Sequence, residues 1–83
     1  MTMASRGYVP LALVPPGSVV RLVEVQGGHG VLRRLFELGI LPGVEFRVVF
    51  NGAGPTVIER NGARLALGRG IAMRLLVEVV QSG

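Results

Sequence analysis

Apolar residues recur at helical spacing in one segment of the chain, and glycines bound that segment on both sides. Its two sides differ in polarity, with Val31, Leu32, Leu35 and Phe36 on one and Arg33, Arg34 and Glu37 on the other. Gly39 directly follows the last periodic residue, where a left-handed backbone without a Cβ is least strained. Pro42-Gly43 then suits the centre of a type II turn. The pattern predicts one short helix that Gly39 ends.

The rest of the chain alternates apolar and polar positions over short segments that glycine, proline and asparagine separate. These segments predict five strands, over residues 18–26, 44–50, 56–60, 63–67 and 75–80. Asn61-Gly62 predicts a type I′ hairpin, because that turn needs a positive φ at both central residues. In the first segment, Val20 and Leu22 share a face with Glu24. A β-bulge or burial on both faces would reconcile that pattern.

These elements favour a small, mainly β domain. Short strands joined by tight turns suit a bent antiparallel sheet that closes into a barrel, because closure removes exposed edges. We expect an SH3-like barrel of about five strands with the helix between strands one and two, and an OB-like barrel is the alternative. In residues 8–14, Leu11 and Val14 are expected to enter the core, from either a short 3₁₀ turn or an extended cover, and a 3₁₀ turn is expected over residues 71–73. The phenylalanines are expected mostly in the core, at Phe36, Phe46 and Phe50.

The predicted domain spans residues 10–80, between a flexible tail over residues 1–9 and a second tail over residues 81–83. Of the 83 residues, 49% are hydrophobic and 17% are charged. So small a domain cannot bury all of that apolar surface, which favours a protein partner or a homo-oligomer. No apolar stretch is long enough to span a membrane and the N-terminus is unlike a signal peptide, so a cytoplasmic location is predicted.

The sequence offers few residues that could catalyse a reaction or bind a metal ion. The chain has no cysteine, which excludes disulfides, zinc fingers and thiol catalysis. His29 is the single histidine and a weak candidate metal ligand, which would need glutamates from elsewhere in the chain or from a second copy. The loop Gly27-Gly28-His29-Gly30 precedes a helix but lacks the lysine of a phosphate-binding loop. No catalytic residue and no enzyme activity are predicted.

The charged side of the helix has two interpretations. It is either a solvated face, with Glu37 paired to Arg33 or Arg34, or a docking surface for another protein that these three residues form. The net charge of +4 is scattered along the chain. Nucleic-acid binders carry clustered basic residues, so no nucleic-acid partner is predicted.

Several short motifs occur along the chain: Pro16-Gly17, Gly27-Gly28, Arg34-Leu35, Glu37-Leu38-Gly39-Ile40, Pro42-Gly43, Gly54-Pro55, Asn61-Gly62, Leu65-Ala66-Leu67 and Ala72. Together they resemble the FeoA family of small cytoplasmic SH3-like barrels associated with ferrous iron uptake. The specific part is RLFELGILPG over residues 34–43, and the resemblance covers about residues 11–80. The same barrel is similar to the C-terminal domain of DtxR-type iron-dependent repressors.

The resemblance implies an accessory protein that acts on the membrane permease FeoB, which carries a cytoplasmic GTP-hydrolysing domain. It implies no catalytic residues and no required cofactor. One alternative is a free-standing barrel that binds or senses Fe²⁺ or another divalent metal. A lower alternative is a basic RNA-binding barrel.

Overall fold

The computed structural model describes residues 7–27 and 29–83 as an antiparallel sheet with two helices and one 3₁₀ turn. The strands are β1 (Tyr8–Pro10), β2 (Val19–Val25), β3 (Glu45–Asn51), β4 (Thr56–Arg60), β5 (Ala63–Leu67) and β6 (Leu75–Gln81). The helices are α1 (His29–Glu37) and α2 (Arg69–Ala72), and the 3₁₀ turn is Leu11–Leu13. Each of the five predicted strands is present, with its ends within one residue of the predicted bounds.

The sheet has six strands in the order β1-β6-β2-β3-β4-β5, and every pair is antiparallel. The predicted count of five strands is wrong, because Tyr8–Pro10 pairs with β6 instead of only covering the core. The prediction of closure is also wrong, because β1 and β5 are the edges of an open ladder in the described part. The shortness of β1 and the proline within it protect one edge without closure.

Helix α1 lies between β2 and β3, as predicted from the sequence. The sheet begins at Tyr8 and ends at Gln81, just outside the interval 10–80 predicted for the domain. Residues 1–6 of the predicted N-terminal tail lie outside the described residues. Residues 71–73 differ from prediction, since an α-helix over Arg69–Ala72 replaces the expected 3₁₀ turn. Its bonds are of the α type, because the Ala72 N–H donates to the Gly68 carbonyl at 2.9 Å.

Two of the three shifts in strand register affect which side chains face the core. The ladder between β2 and β6 shifts between Leu22 and Glu24, which confirms the bulge that the sequence suggested. The ladder between β3 and β4 shifts between Val48 and Phe50. Past that shift Phe50 is 50% exposed, so its predicted place in the core is wrong. A bulge reverses the alternation that continuous pairing would have kept.

The core collects buried side chains from every element except β1, whose Val9 packs against it while only partly buried. Its fully or almost fully buried members are Leu11, Ala12, Val14, Val20, Leu22, Leu35, Ile40, Phe46, Val48, Ile58, Leu67, Ala72, Leu75 and Val77. Helix α1 contributes only Leu35 to this set. Its remaining apolar side chains therefore lie at the margin of the core or outside it.

Candidate functional site

Hydrogen bonds beyond its last residue fix the C-terminal end of α1. The Gly39 N–H donates to the Phe36 carbonyl at 2.8 Å, and the Ile40 N–H donates to the Leu35 carbonyl at 2.9 Å. Gly39 has φ +76°, which is the left-handed conformation predicted for it. These bonds form a Schellman motif, in which a buried residue after the glycine packs near the last turn of the helix. Ile40 is that residue, and it is buried.

A turn then ties the segment after α1 to the sheet. The Val44 N–H donates to the Leu41 carbonyl at 2.9 Å and Gly43 has φ +98°, which confirms the predicted turn around Pro42-Gly43. The Gly43 N–H donates to the Leu22 carbonyl of β2 at 2.7 Å. Leu41 is therefore held in place between a capped helix end and a bonded turn.

One stripe of α1 packs on the sheet. Leu35 is fully buried, and Val31 and Leu38 are partly buried against the core. These residues are spaced by four and three positions, which is the spacing of a single helical stripe. Because this stripe already fills the contact with the small core, the adjacent apolar stripe stays in solvent.

That second stripe forms an exposed apolar surface. Leu32 is 41% exposed, Phe36 is 61% exposed and Leu41 is 39% exposed. Together with Arg33 they line a shallow depression of about 280 Å³. We call these four residues the α1 patch. The expectation that Phe36 lies in the core is wrong, because the stripe that contains Leu35 takes that place.

The three residues predicted as a docking surface lie at and beside this patch. Arg33 lines the depression, while Arg34 and Glu37 are exposed on the same helix. Among the described side chains of residues 7–27 and 30–83, the charged pairs are Arg21–Glu45, Arg21–Glu78 and Arg64–Glu59, and none involves Arg33, Arg34 or Glu37. The ion pair expected for Glu37 is thus absent from the described residues.

Sequence reasoning missed the apolar half of this surface. A signal for it was present, since α1 carries more apolar residues than one stripe against a small core can bury. Leu41 was missed because its exposure depends on how the turn after α1 docks on β2, which no local pattern encodes.

The candidate metal ligand His29 begins α1, but its side chain lies outside the described residues. Among the side chains that are described, no three histidines, cysteines, aspartates or glutamates form a group that could hold a metal ion.

A second depression, of about 320 Å³, is polar and lies beside β3 and β4. No helix in the described ranges is long and apolar enough to cross a lipid bilayer.

Known proteins share both the sequence and the fold of this chain. The family model described as FeoA domain matches residues 9–79. A Methanocaldococcus jannaschii protein, provisionally named Fe(2+) transport protein A, is 36% identical over 74 residues, which cover 89% of this chain and 90% of that protein.

Solved structures agree with these matches. The crystal structure of an iron uptake regulatory protein (FeoA) is 34% identical and superposes with a TM-score of 0.78, covering 88% of this chain and 99% of that one. The crystal structure of T. acidophilum IdeR has the same TM-score of 0.78 at 19% identity, over 94% of this chain and 37% of that one. The second similarity concerns the fold alone.

Proposed function

Because this chain belongs to the FeoA family, we propose that it is an accessory protein of ferrous iron transport that binds the cytoplasmic part of the permease FeoB. The M. jannaschii relative is named for Fe²⁺ transport, and the FeoA crystal structure bears the name of an iron uptake regulator. The observation that carries the proposal is the α1 patch, where three exposed apolar side chains and an arginine line one depression. The proposed location is the cytoplasm, at the membrane only through the partner.

The patch has the composition of the centre of a protein–protein interface. Such centres hold aromatic and aliphatic anchors within a rim of polar residues, with arginine enriched. Phe36 and Leu32 would be the anchors, and Arg34 and Glu37 would belong to the rim. Burying the exposed part of Phe36 alone would contribute about 1–2 kcal/mol to binding.

In this proposal the chain acts by binding its partner and catalyses no reaction. A protein that binds one state of a GTP-hydrolysing domain more tightly than another shifts the equilibrium between them by its difference in affinity. No reaction at the patch is needed for this effect. The chain would then change ferrous iron uptake by altering how long the permease stays in one nucleotide state.

The direct test is a titration of the purified chain into the cytoplasmic domain of FeoB from the same organism. The domain is loaded in turn with GDP and with a non-hydrolysable GTP analogue. Saturable binding to at least one of the two forms is expected, with a different Kd for each. Heat traces that stay flat with both nucleotides would refute the proposal.

The alternatives from the sequence stay predictions with tests of their own. A metal-binding barrel predicts saturable heats with Fe²⁺, Mn²⁺ or Zn²⁺ that His29→Ala removes. An RNA-binding barrel predicts binding that weakens steeply with salt, because each phosphate contact releases a counterion.

A further inference from the structure

We propose that the α1 patch recognises an amphipathic helix whose polar side is acidic. One large apolar side chain of that helix would fill the depression, and carboxylates on either side of it would meet Arg33 and Arg34. This inference rests on the proposed function, because the helix would belong to the permease.

The shape of the patch sets the apolar part of this partner. The depression of about 280 Å³ has Leu32, Phe36 and Leu41 on its walls. An apolar cavity of about 150 Å³ is enough to hold benzene, so an open depression of this size takes a leucine or phenylalanine side chain. Leu32 and Phe36 lie one turn apart on α1, which forms the kind of ridge that packs between side chains of a second helix.

The charged residues beside the depression determine which polar side chains the partner helix should carry. Arg33 lines the depression and Arg34 follows it on the exposed helix, with Glu37 as the only acidic residue of α1. A third arginine approaches the end of the helix, since the Arg60 Nη1 lies 3.2 Å from the position that a Cβ on Gly39 would take. Two arginines against one glutamate give this part of α1 a net positive charge, which carboxylates complement.

Other arginines of the described chain are engaged elsewhere. Arg21 donates to the Glu78 carboxylate at 2.7 Å and to the Glu45 carboxylate at 3.0 Å. Arg47 and Arg69 donate to the backbone carbonyls of Gly17 and Gly52. Arg33 and Arg34 form no ion pair among the described side chains, so their charge is available to an external ligand.

A helix fits this surface better than a strand or a lipid surface does. A partner strand needs open backbone groups, whereas the patch offers side chains, three from α1 and one from the turn after it. Helices that lie on membranes bury a broad, convex apolar face. Here the apolar surface is concave and α1 has nine residues.

The test uses the isotope-labelled chain and two designed helical peptides, observed by NMR. Both peptides share the same leucines, and they differ only in carrying glutamate or lysine on the polar side. The glutamate peptide should shift the amide signals of residues 31–37, Leu41 and Gly43, and the lysine peptide should not. Equal effects of the two peptides, or shifts confined to other residues, would overturn the inference. So would binding to phosphatidylglycerol vesicles without binding to the glutamate peptide.

A charge-reversed variant sharpens the test. Arg33→Glu combined with Arg34→Glu should raise the Kd for the glutamate peptide by about tenfold or more, because two attractive pairs become repulsive. Arg64→Glu is the matched control, since this exposed arginine lies on β5 and should leave that Kd unchanged. Equal affinity of both variants and the wild type would overturn the inference.

The same variants separate this inference from the proposed function. If the FeoB domain binds the wild type and the Arg33→Glu, Arg34→Glu variant equally, the inference fails and the proposed function stands. If the glutamate peptide binds as expected but the FeoB domain does not bind, the proposed function fails and the recognition of acidic helices stands.

Discussion

At the scale of single residues, Gly39 connects the fold to the α1 patch. Its φ of +76° lets the chain turn back so that Ile40 enters the core while Leu41 stays at the surface. A residue with a Cβ is strained in this conformation, and a β-branched one is strained most. The added atoms would also press on Arg60, whose Nη1 lies 3.2 Å from the Cβ position, although that side chain can move.

We therefore expect Gly39→Val to lower the free energy of unfolding by about 2–3 kcal/mol, measured by denaturant titration. Gly30→Ala is the control, because Gly30 lies within α1 and no described atom beyond its chain neighbours and its own helix backbone is within 4 Å of its Cβ position. The free energy of unfolding of that variant should rise by about 0.5–1 kcal/mol, because alanine has a better helix propensity than glycine. Unchanged stability of Gly39→Val would mean that α1 does not end as the structure shows.

Two buried hydroxyl groups give a second comparison at this scale. The Ser18 Oγ is buried without a hydrogen-bond partner among the described residues, whereas the Thr56 Oγ1 donates to the Asn51 Oδ1 at 2.8 Å. Removing a partnered hydroxyl leaves another buried group unsatisfied, but removing an unpartnered one relieves a desolvation cost.

Ser18→Ala should thus leave the unfolding free energy unchanged or raise it by up to about 1 kcal/mol. Thr56→Val, which keeps the shape of the side chain, should lower it by about 1–2 kcal/mol. Thermal or chemical denaturation of both variants decides the question. An equal loss of stability in the two would show that Ser18 has a hydrogen-bond partner after all.

At the scale of elements, Asn51 joins the 3₁₀ turn to the end of β3. Its Nδ2 donates to the carbonyls of Leu11 and Val14, at 3.0 Å and 2.7 Å. The register shift after Val48 is what brings a polar residue to this position. One amide therefore holds two chain segments that are 37–40 residues apart in the sequence.

Asn51→Asp should destabilise the protein at neutral pH by about 2–3 kcal/mol, because a carboxylate places acceptors against two carbonyl oxygens. Amide hydrogen exchange of residues 11–14 should become faster as their anchor is lost. The control is Asn61→Asp, which should be nearly neutral because Asp-Gly also suits a type I′ turn. Indistinguishable exchange in residues 11–14 would contradict the anchoring role.

Local patterns predicted the strands well because alternation and turn residues act over a few positions. The Asn61-Gly62 turn, with φ values of 54° and 83°, shows this most clearly. The pairing of Tyr8 and the exposure of Phe50 were mispredicted, because both depend on the partner strand. The sequence pointed to Arg33 as part of a docking surface, which stays a prediction, whereas the apolar part of the candidate site depends on which of two helical stripes meets the core.

At the scale of the whole molecule, the sheet supports α1 on one stripe and leaves the other stripe in solvent. Exposed large apolar side chains occur elsewhere too, including Leu13, at 62%, and Phe50. The α1 patch differs from these because three apolar side chains and an arginine share one depression. The central claim is that Phe36 serves a partner and contributes little to the fold.

The most direct measurement compares Phe36→Ala with Phe50→Ala, two exposed phenylalanines on different elements. Unfolding free energy and the Kd for the cytoplasmic domain of FeoB are measured for both. We predict that Phe36→Ala changes stability by less than about 0.5 kcal/mol and weakens binding by about tenfold or more, while Phe50→Ala leaves binding intact. The account is contradicted if Phe36→Ala binds like the wild type, or if both variants lose affinity equally.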